Sequence, residues 1–182
     1  MLFDDSLIVR LFTRRFFFAA VAGISIALFL FAMYLQLQLG LHPCPLCITQ
    51  RVFVLLVGLA ALSGLIFGPK KLFWWLHAAL IALLCMAGAG VAGRHVWLQH
   101  LPEDQVPACG PGLGYLFDNF PLAQALRTLF AGDGNCAETV WTFLGLSIPE
   151  WTLINFIGLF VAVCIAMTLK LIARPGQHLP LR

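Results

Sequence analysis

The sequence predicts an all-α membrane protein: a four-transmembrane-helix bundle with a long outer loop that carries a short amphipathic surface helix. Composition is the first indication, because 61% of the 182 residues are hydrophobic and only 10% are charged, against roughly 25% charged in a soluble domain. The apolar residues also gather into four runs, each long enough to cross hydrocarbon, and the cations cluster at the ends of those runs. With so few polar residues at a length typical of one domain, residues 1–182 are expected to form a single membrane domain.

The first span runs over residues 16–39, which hold no charge; about 20 helical residues at 1.5 Å each cover a core of roughly 30 Å. Arg10, Arg14 and Arg15 precede it, as in a signal peptide. The apolar stretch exceeds the usual h-region of roughly 7–15 residues, and no small-residue cleavage site follows, so a span is expected. The second, residues 44–67, is interrupted by Thr49, Gln50 and Arg51 and ends at Gly68-Pro69-Lys70-Lys71, a breaker followed by two charges. The third covers 72–93, with Trp74 and Trp75 at its entrance, where indole rings favour the membrane–water boundary. The fourth covers 151–169 and is closed by Lys170.

Eight of the eleven cations (Arg10, Arg14, Arg15, Lys70, Lys71, Lys170, Arg174 and Arg182) flank the same side of this arrangement. The positive-inside rule then places both termini and the middle loop in the cytoplasm, with Gln36–Pro43 and the long segment 94–150 outside. A net charge of +3 without a basic stripe interleaved with aromatics gives no reason to expect a nucleic-acid partner.

The outer segment contains Pro102, Pro107, Pro111, Pro121 and Pro149 and is expected to be loop-like, with one exception. Leu122, Leu126, Leu129 and Phe130 recur at helical spacing after Pro121, which predicts a short amphipathic helix. It lies either on the membrane surface or against the top of the bundle.

Four of the six cysteines, Cys44, Cys47, Cys109 and Cys136, fall outside the hydrocarbon or at its edge. Pro43-Cys44-Pro45-Leu46-Cys47 sets two thiols three residues apart where the chain enters a helix. Helix N-termini lower thiol pKa, and the thiolate is the attacking species. The same spacing serves zinc ligation, whereas haem attachment would need a histidine where Ile48 stands.

Arg51, four residues after Cys47, lies on the same helix face. A cation in an apolar segment costs up to about 2.5–3.5 kcal/mol. Two readings suit it: stabilisation of a Cys47 thiolate or a cofactor anion, and snorkelling to the headgroups. Cys109 and Cys136 suit either a static staple or an exchanging disulfide, and the Pro- and Gly-rich sequence around Cys109 favours exchange. Cys85 and Cys164 are expected to be small core residues, and His77 a packed or hydrogen-bonded one. His95, beside Arg94 at the outer end of span three, is a candidate for the wall of a site.

These residues resemble the disulfide bond formation protein B (DsbB) family of bacterial inner-membrane thiol oxidases over nearly the whole chain. The likeness rests on Pro43 to Cys47, on Arg51, on Arg94-His95-x-x-Leu98-Gln99, on Cys109, and on the block from Cys136 to Trp151. It implies a dithiol:quinone oxidoreductase in the inner membrane with its four outer cysteines periplasmic. A reduced DsbA-like thiol oxidase would attack Cys109, releasing Cys136, which attacks Cys44. Cys47 would pass the electrons to a quinone, ubiquinone or menaquinone, drawn from the lipid pool and polarised by Arg51, with His95 and Leu98 near the ring. No metal ligands are implied.

Two rivals remain at this level. A vitamin K epoxide reductase-like protein also joins four helices, two cysteine pairs and a quinone, but there the loop cysteines precede the Cys-x-x-Cys. A membrane metal-binding or transport protein using the outer cysteines would need thiolates kept reduced, which an oxidising compartment opposes.

Overall fold

The computed structural model describes residues 14–67, 71–110, 115 and 121–172. Its long helices are α1 (Arg14–Leu39), α2 (Pro45–Phe67), α3 (Lys71–Gln99) and α5 (Ile148–Ile172), with the short α4 (Leu122–Ala131) between α3 and α5. All four long helices are apolar and long enough to cross a membrane, which makes the fold a four-helix membrane bundle. Arg10, Lys70, Arg174 and Arg182, used above for orientation, lie outside the described residues, as do Gly68, Pro69 and Pro111.

Helix α1 packs on α2, α2 on α3, and α3 on α5. Phe18, Val57, Ala61, Ala78, Ile81, Phe156 and Val163 form the core, while Leu30, Leu59, Leu76, Leu83 and Ile157 point outward. Such a distribution suits lipid as solvent, because the outer surface needs no polar face and helix association rests on close packing. Gly88 illustrates this: a Cβ there would stand 2.6 Å from the Phe156 ring, so its absence lets α3 and α5 approach. Helices α1 and α5 make no comparable contact among the described residues, so the bundle is open along that seam.

The elements begin and end close to their predicted limits, with two informative differences. Helix α3 continues to Gln99 instead of stopping at Gly93. Arg94 can remain helical because its side chain lies over Trp97 and donates to the Ala131 carbonyl. Helix α5 starts at Ile148, three residues earlier than expected. Ser147 and Glu150 form half of a capping box there, the Ser147 N–H donating to the Glu150 carboxylate at 2.6 Å. Trp74 is buried at 1% exposure, against Phe18 and beneath the Lys170 ammonium, near the end of α5 that carries that cation.

Helix α4 forms as expected and touches the bundle. Its last-turn carbonyls are anchored to the bundle, with Thr49 donating to Leu129 and Arg94 to Ala131. Leu122, Leu126 and Phe130 remain exposed. The outer segment is also more ordered than a loop: Thr142–Phe143 pairs antiparallel with Leu146–Ser147 in a small hairpin, β1–β2. Its two-residue turn has Leu144 at φ 52° and Gly145 at φ 80°, the positive angles that match the twist of a hairpin.

Candidate functional site

The site is built at the end of the bundle where α2 begins. Cys44 precedes the first turn of α2, and its carbonyl accepts from the Ile48 N–H at 3.1 Å. Pro45 follows at the first helical position, where its missing N–H leaves no bond unmade. The Cys44 sulfur accepts from the Cys47 N–H at 3.4 Å, so it occupies the place of an N-cap side chain. Local sequence thus fixes the two thiols on one helix terminus.

His95, from the far end of α3, brings Nε2 to 3.8 Å from the Cys44 sulfur. Its ring is 2% exposed, and Nδ1 meets the Gln50 side-chain amide at 3.0 Å. The two thiol sulfurs and a His95 ring nitrogen all lie within 4.8 Å of one another.

Cys136 reaches the same point from the outer segment. It is fully buried, in a small cluster with Leu46, Val91 and Leu98. Cys44 packs against this cluster, and interaction with the Cys44 side chain, together with burial, raises the Cys136 pKa above the ordinary thiol range. Asp133 shapes the turn before it by accepting from the Asn135 N–H at 3.1 Å.

Two glycines make this docking possible. Gly132 has φ 76°, and a Cβ there would also meet Leu46 and Leu98 at 2.7 and 2.8 Å. Gly134 donates to the Ala108 carbonyl at 3.3 Å, and a Cβ there would lie 2.5 Å from the Pro107 carbonyl oxygen and 3.1 Å from the Cys109 sulfur. Cys109 itself is exposed. From Cys109 to Cys136 to Cys44 to Cys47, the thiols therefore lead from solvent to the helix terminus.

Cys47 and Arg51 line a cavity of about 800 Å³ on the unclosed side of the bundle. Its wall comprises α1, α2, α5 and the hairpin, and it is apolar apart from a few groups, notably Gln50, Arg51 and Asn155. Arg51 donates through Nη1 to the Gln36 side-chain oxygen and through Nη2 to the Ala32 carbonyl at 3.2 Å. Both partners belong to α1, so the guanidinium bridges α1 and α2 across one cavity wall.

An aromatic chain closes the cavity at its hairpin end. Phe31 of α1 meets Trp141 edge-on at 6.1 Å, Trp141 stacks on Phe143 at 6.1 Å, and Phe143 tilts against Trp151 of α5 at 6.1 Å. The Trp151 indole N–H donates to the Phe143 carbonyl at 3.0 Å, which locks hairpin to helix. The hairpin thus spans the seam that α1 and α5 leave open.

The structure brings Cys44, Cys47, Cys136, Arg51 and His95 together, with Cys109 against the turn that carries Cys136. His95 and Leu98 are not on the cavity wall: His95 contacts Cys44 and Gln50, and Leu98 packs with Leu46 and Cys136. Gln36, Gln50, Asn155 and the aromatic hairpin went unread in the sequence. A signal for the amides existed, since polar side chains inside spans usually face a bundle interior or a cavity. His77 is bonded to the Phe73 carbonyl at 2.7 Å, and Cys85 is buried in the core, as expected.

Comparison with known proteins agrees with this geometry. The family model described as Disulfide bond formation protein DsbB matches residues 14–166. The chain is similar to Disulfide bond formation protein B of Saccharophagus degradans, at 57% identity over 81% of this chain and 86% of the relative. It is also similar to the proteins of that name from Methylococcus capsulatus, at 51% identity over 73% and 81%, and Hahella chejuensis, at 49% over 80% and 86%.

Proposed function

The chain belongs to the disulfide bond formation protein DsbB family, and from that premise we propose that it reoxidises a periplasmic thioredoxin-fold, DsbA-like dithiol oxidase and passes the electrons to a membrane quinone. Disulfide-forming oxidoreductase activity in a membrane bundle follows from the family itself. The partner, the acceptor and a bacterial inner-membrane location, with both termini cytoplasmic and the four outer cysteines periplasmic, are the further reading. One observation supports it above others: the thiols are ordered from exposed Cys109, through buried Cys136 and Cys44, to Cys47 on the wall of an apolar cavity.

The steps follow from that order. A partner thiolate attacks Cys109 of a Cys109–Cys136 disulfide, forming a mixed disulfide and releasing the Cys136 thiolate. Cys136, already in contact with Cys44, attacks that sulfur in a Cys44–Cys47 disulfide and expels Cys47 as the thiolate. Cys47 then holds the electron pair at the cavity. The partner's second thiol displaces Cys109, whose thiolate retakes Cys136 and frees Cys44; Cys44 and Cys47 would then re-form their disulfide as the pair's two electrons and two protons pass to the quinone.

The cavity suits a quinone: a flat apolar ring with a hydrophobic tail fits walls of Leu28, Phe29, Val54 and Trp151, and the α1–α5 seam opens toward lipid. When bound, the quinone accepts two electrons and two protons. Arg51 supplies fixed positive charge on the same wall as Cys47, and its bonds to Gln36 and Ala32 keep it aimed without reorganisation. The aromatic hairpin limits access by competing thiols. Ubiquinone or menaquinone would serve.

Turnover in quinone-replete membranes tests the reading, with a reduced thioredoxin-fold dithiol as substrate. Quinone-dependent oxidation is expected, and Cys136→Ala should accumulate partner joined through Cys109. No turnover would exclude the assignment.

A further inference from the structure

In its dithiol state the Cys-x-x-Cys pair has a neighbour with no part in the exchange steps above: the His95 imidazole. We infer that Cys44, Cys47 and His95 form a metal-capture site that binds one thiophilic, tetrahedral cation of the Zn²⁺ class whenever the pair is reduced. The ligand atoms already have the right spacing. Zinc takes bonds of about 2.3 Å to sulfur and 2.0–2.1 Å to nitrogen, so adjacent tetrahedral ligands stand roughly 3.6 Å apart. Cys44 Sγ and His95 Nε2 are 3.8 Å apart, and no pair in the group exceeds 4.8 Å.

The donor set selects the ion. Thiolate and imidazole together favour Zn²⁺ over the hard cations Mg²⁺ and Ca²⁺. Three protein ligands with an open fourth position match the coordination of accessible zinc centres. Gln50 supplies the outer support: it is 3% exposed and meets His95 Nδ1 at 3.0 Å. Turning its amide over lets Oε1 accept Nδ1–H, which leaves Nε2 unprotonated and facing the thiols, the orientation a ligating histidine needs.

Binding displaces the two thiol protons and changes no oxidation state. Oxidation of the pair to a disulfide removes both thiolates and abolishes the site, so capture is gated by redox state. A captured ion would hold both sulfurs and stop them exchanging. The inference needs only the dithiol and is independent of the partner and electron acceptor proposed above.

Cobalt(II) reports such sites directly, so the full chain in detergent, reduced and kept anaerobic, should be titrated with Co²⁺ and then Zn²⁺. The expected result is one Co²⁺ per chain, with tetrahedral d–d absorption and a thiolate-to-cobalt charge-transfer band displaced by Zn²⁺. The band should be absent from the oxidised protein and reduced by about half in Cys47→Ser. His95→Ala should weaken binding more than tenfold, since even loss of an outer partner costs about 10–100-fold, and Cys109→Ser should leave it unchanged. Zn²⁺ should also protect Cys44 and Cys47 of the unaltered chain from alkylation while Cys109 still reacts, a readout that stands if His95→Ala does not fold. Octahedral or absent cobalt signals, unaltered affinity in folded His95→Ala, abolition by Cys109→Ser, or failure of Zn²⁺ to protect the pair would each overturn the inference.

Discussion

Arg51 of α2 donates to the side-chain oxygen of Gln36 in α1, so the cation in the second span is held by a partner fifteen residues earlier in the chain. Neither residue explains itself alone. A charged donor within an apolar bundle is costly unless its protons are accepted, and an amide in a span needs a partner for the same reason.

This pairing makes Arg51 a fixed element of the cavity, and its removal should act on one half-reaction. In single-turnover measurements Arg51→Ala should slow quinone reduction by roughly 10²-fold, the typical loss for one preorganised donor, while sparing exchange between the partner dithiol and Cys109. Gln36→Leu should show a smaller defect in the same half-reaction. Equal loss of both half-reactions would contradict the assigned role.

Cys136 should betray its environment through pH. Contact with Cys44 and burial raise its pKa, so in the reduced protein it stays protonated at neutral pH and alkylates slowly. Its rate should keep climbing with pH after an unstructured reference thiol, with a pKa near 8.5, has levelled off. The same shift fixes the sign of stability: the folded state retains a proton that the unfolded chain loses above about pH 8.5, so docking of this segment weakens as pH rises. A Cys136 profile superimposable on the reference thiol would refute both statements.

Gly134→Ala should pull the outer cysteines apart. The added methyl meets the Pro107 backbone at 2.5 Å and the Cys109 sulfur at 3.1 Å, and overpacking of this kind costs about 1–3 kcal/mol. The effective concentration of Cys109 toward Cys136, measured by equilibration with a glutathione buffer, should fall by roughly 5- to 150-fold. Gly90→Ala, with open space at its Cβ position, is the control and should leave that equilibrium in place.

Leu144 invites a stabilising change. It sits at φ 52° with 78% of its surface exposed, and a left-handed non-glycine residue costs about 1–2 kcal/mol. Leu144→Asn, a residue at ease in that turn, should slow hydrogen exchange of the Phe143 and Leu146 amides by about fivefold. Faster exchange would show that the leucine contributes contacts outweighing its backbone strain.

Asn155 lines the cavity from α5, where on the proposed function its amide would donate to a quinone carbonyl. Asn155→Leu should raise the apparent KM for quinone about tenfold, the effect of one hydrogen bond of roughly 1.4 kcal/mol, with kcat little changed. An unaltered KM would remove Asn155 from the binding surface.

Much of this protein is legible in its sequence because lipid imposes simple demands. Four apolar runs had to be helices, since every backbone polar group in hydrocarbon must be bonded within its own segment. Cys44 and Cys47 had to sit together at a helix terminus because three residues and a proline place them there. Helix ends were less legible where long-range partners decide them. Arg94 suggested a boundary after Gly93, yet α3 runs on because Trp97 and the Ala131 carbonyl receive that guanidinium. Ser147 and Glu150 carried the signal for the start of α5 in plain form, and Pro149 between them obscured it.

What the sequence alone determined was local: four spans, a redox-competent dithiol on a helix N-terminus, and a cation one turn below it. Those features depend on residues within a few positions of each other, where backbone geometry leaves little freedom. Only the tertiary structure decided that Gln36 receives Arg51, that His95 meets Cys44 from 51 residues away, and that Cys136 is buried against that same sulfur. It also decided that an aromatic hairpin spans the open α1–α5 seam. Such contacts arise from packing between distant segments, where one glycine or one bonded amide fixes the approach, and no local spacing encodes them.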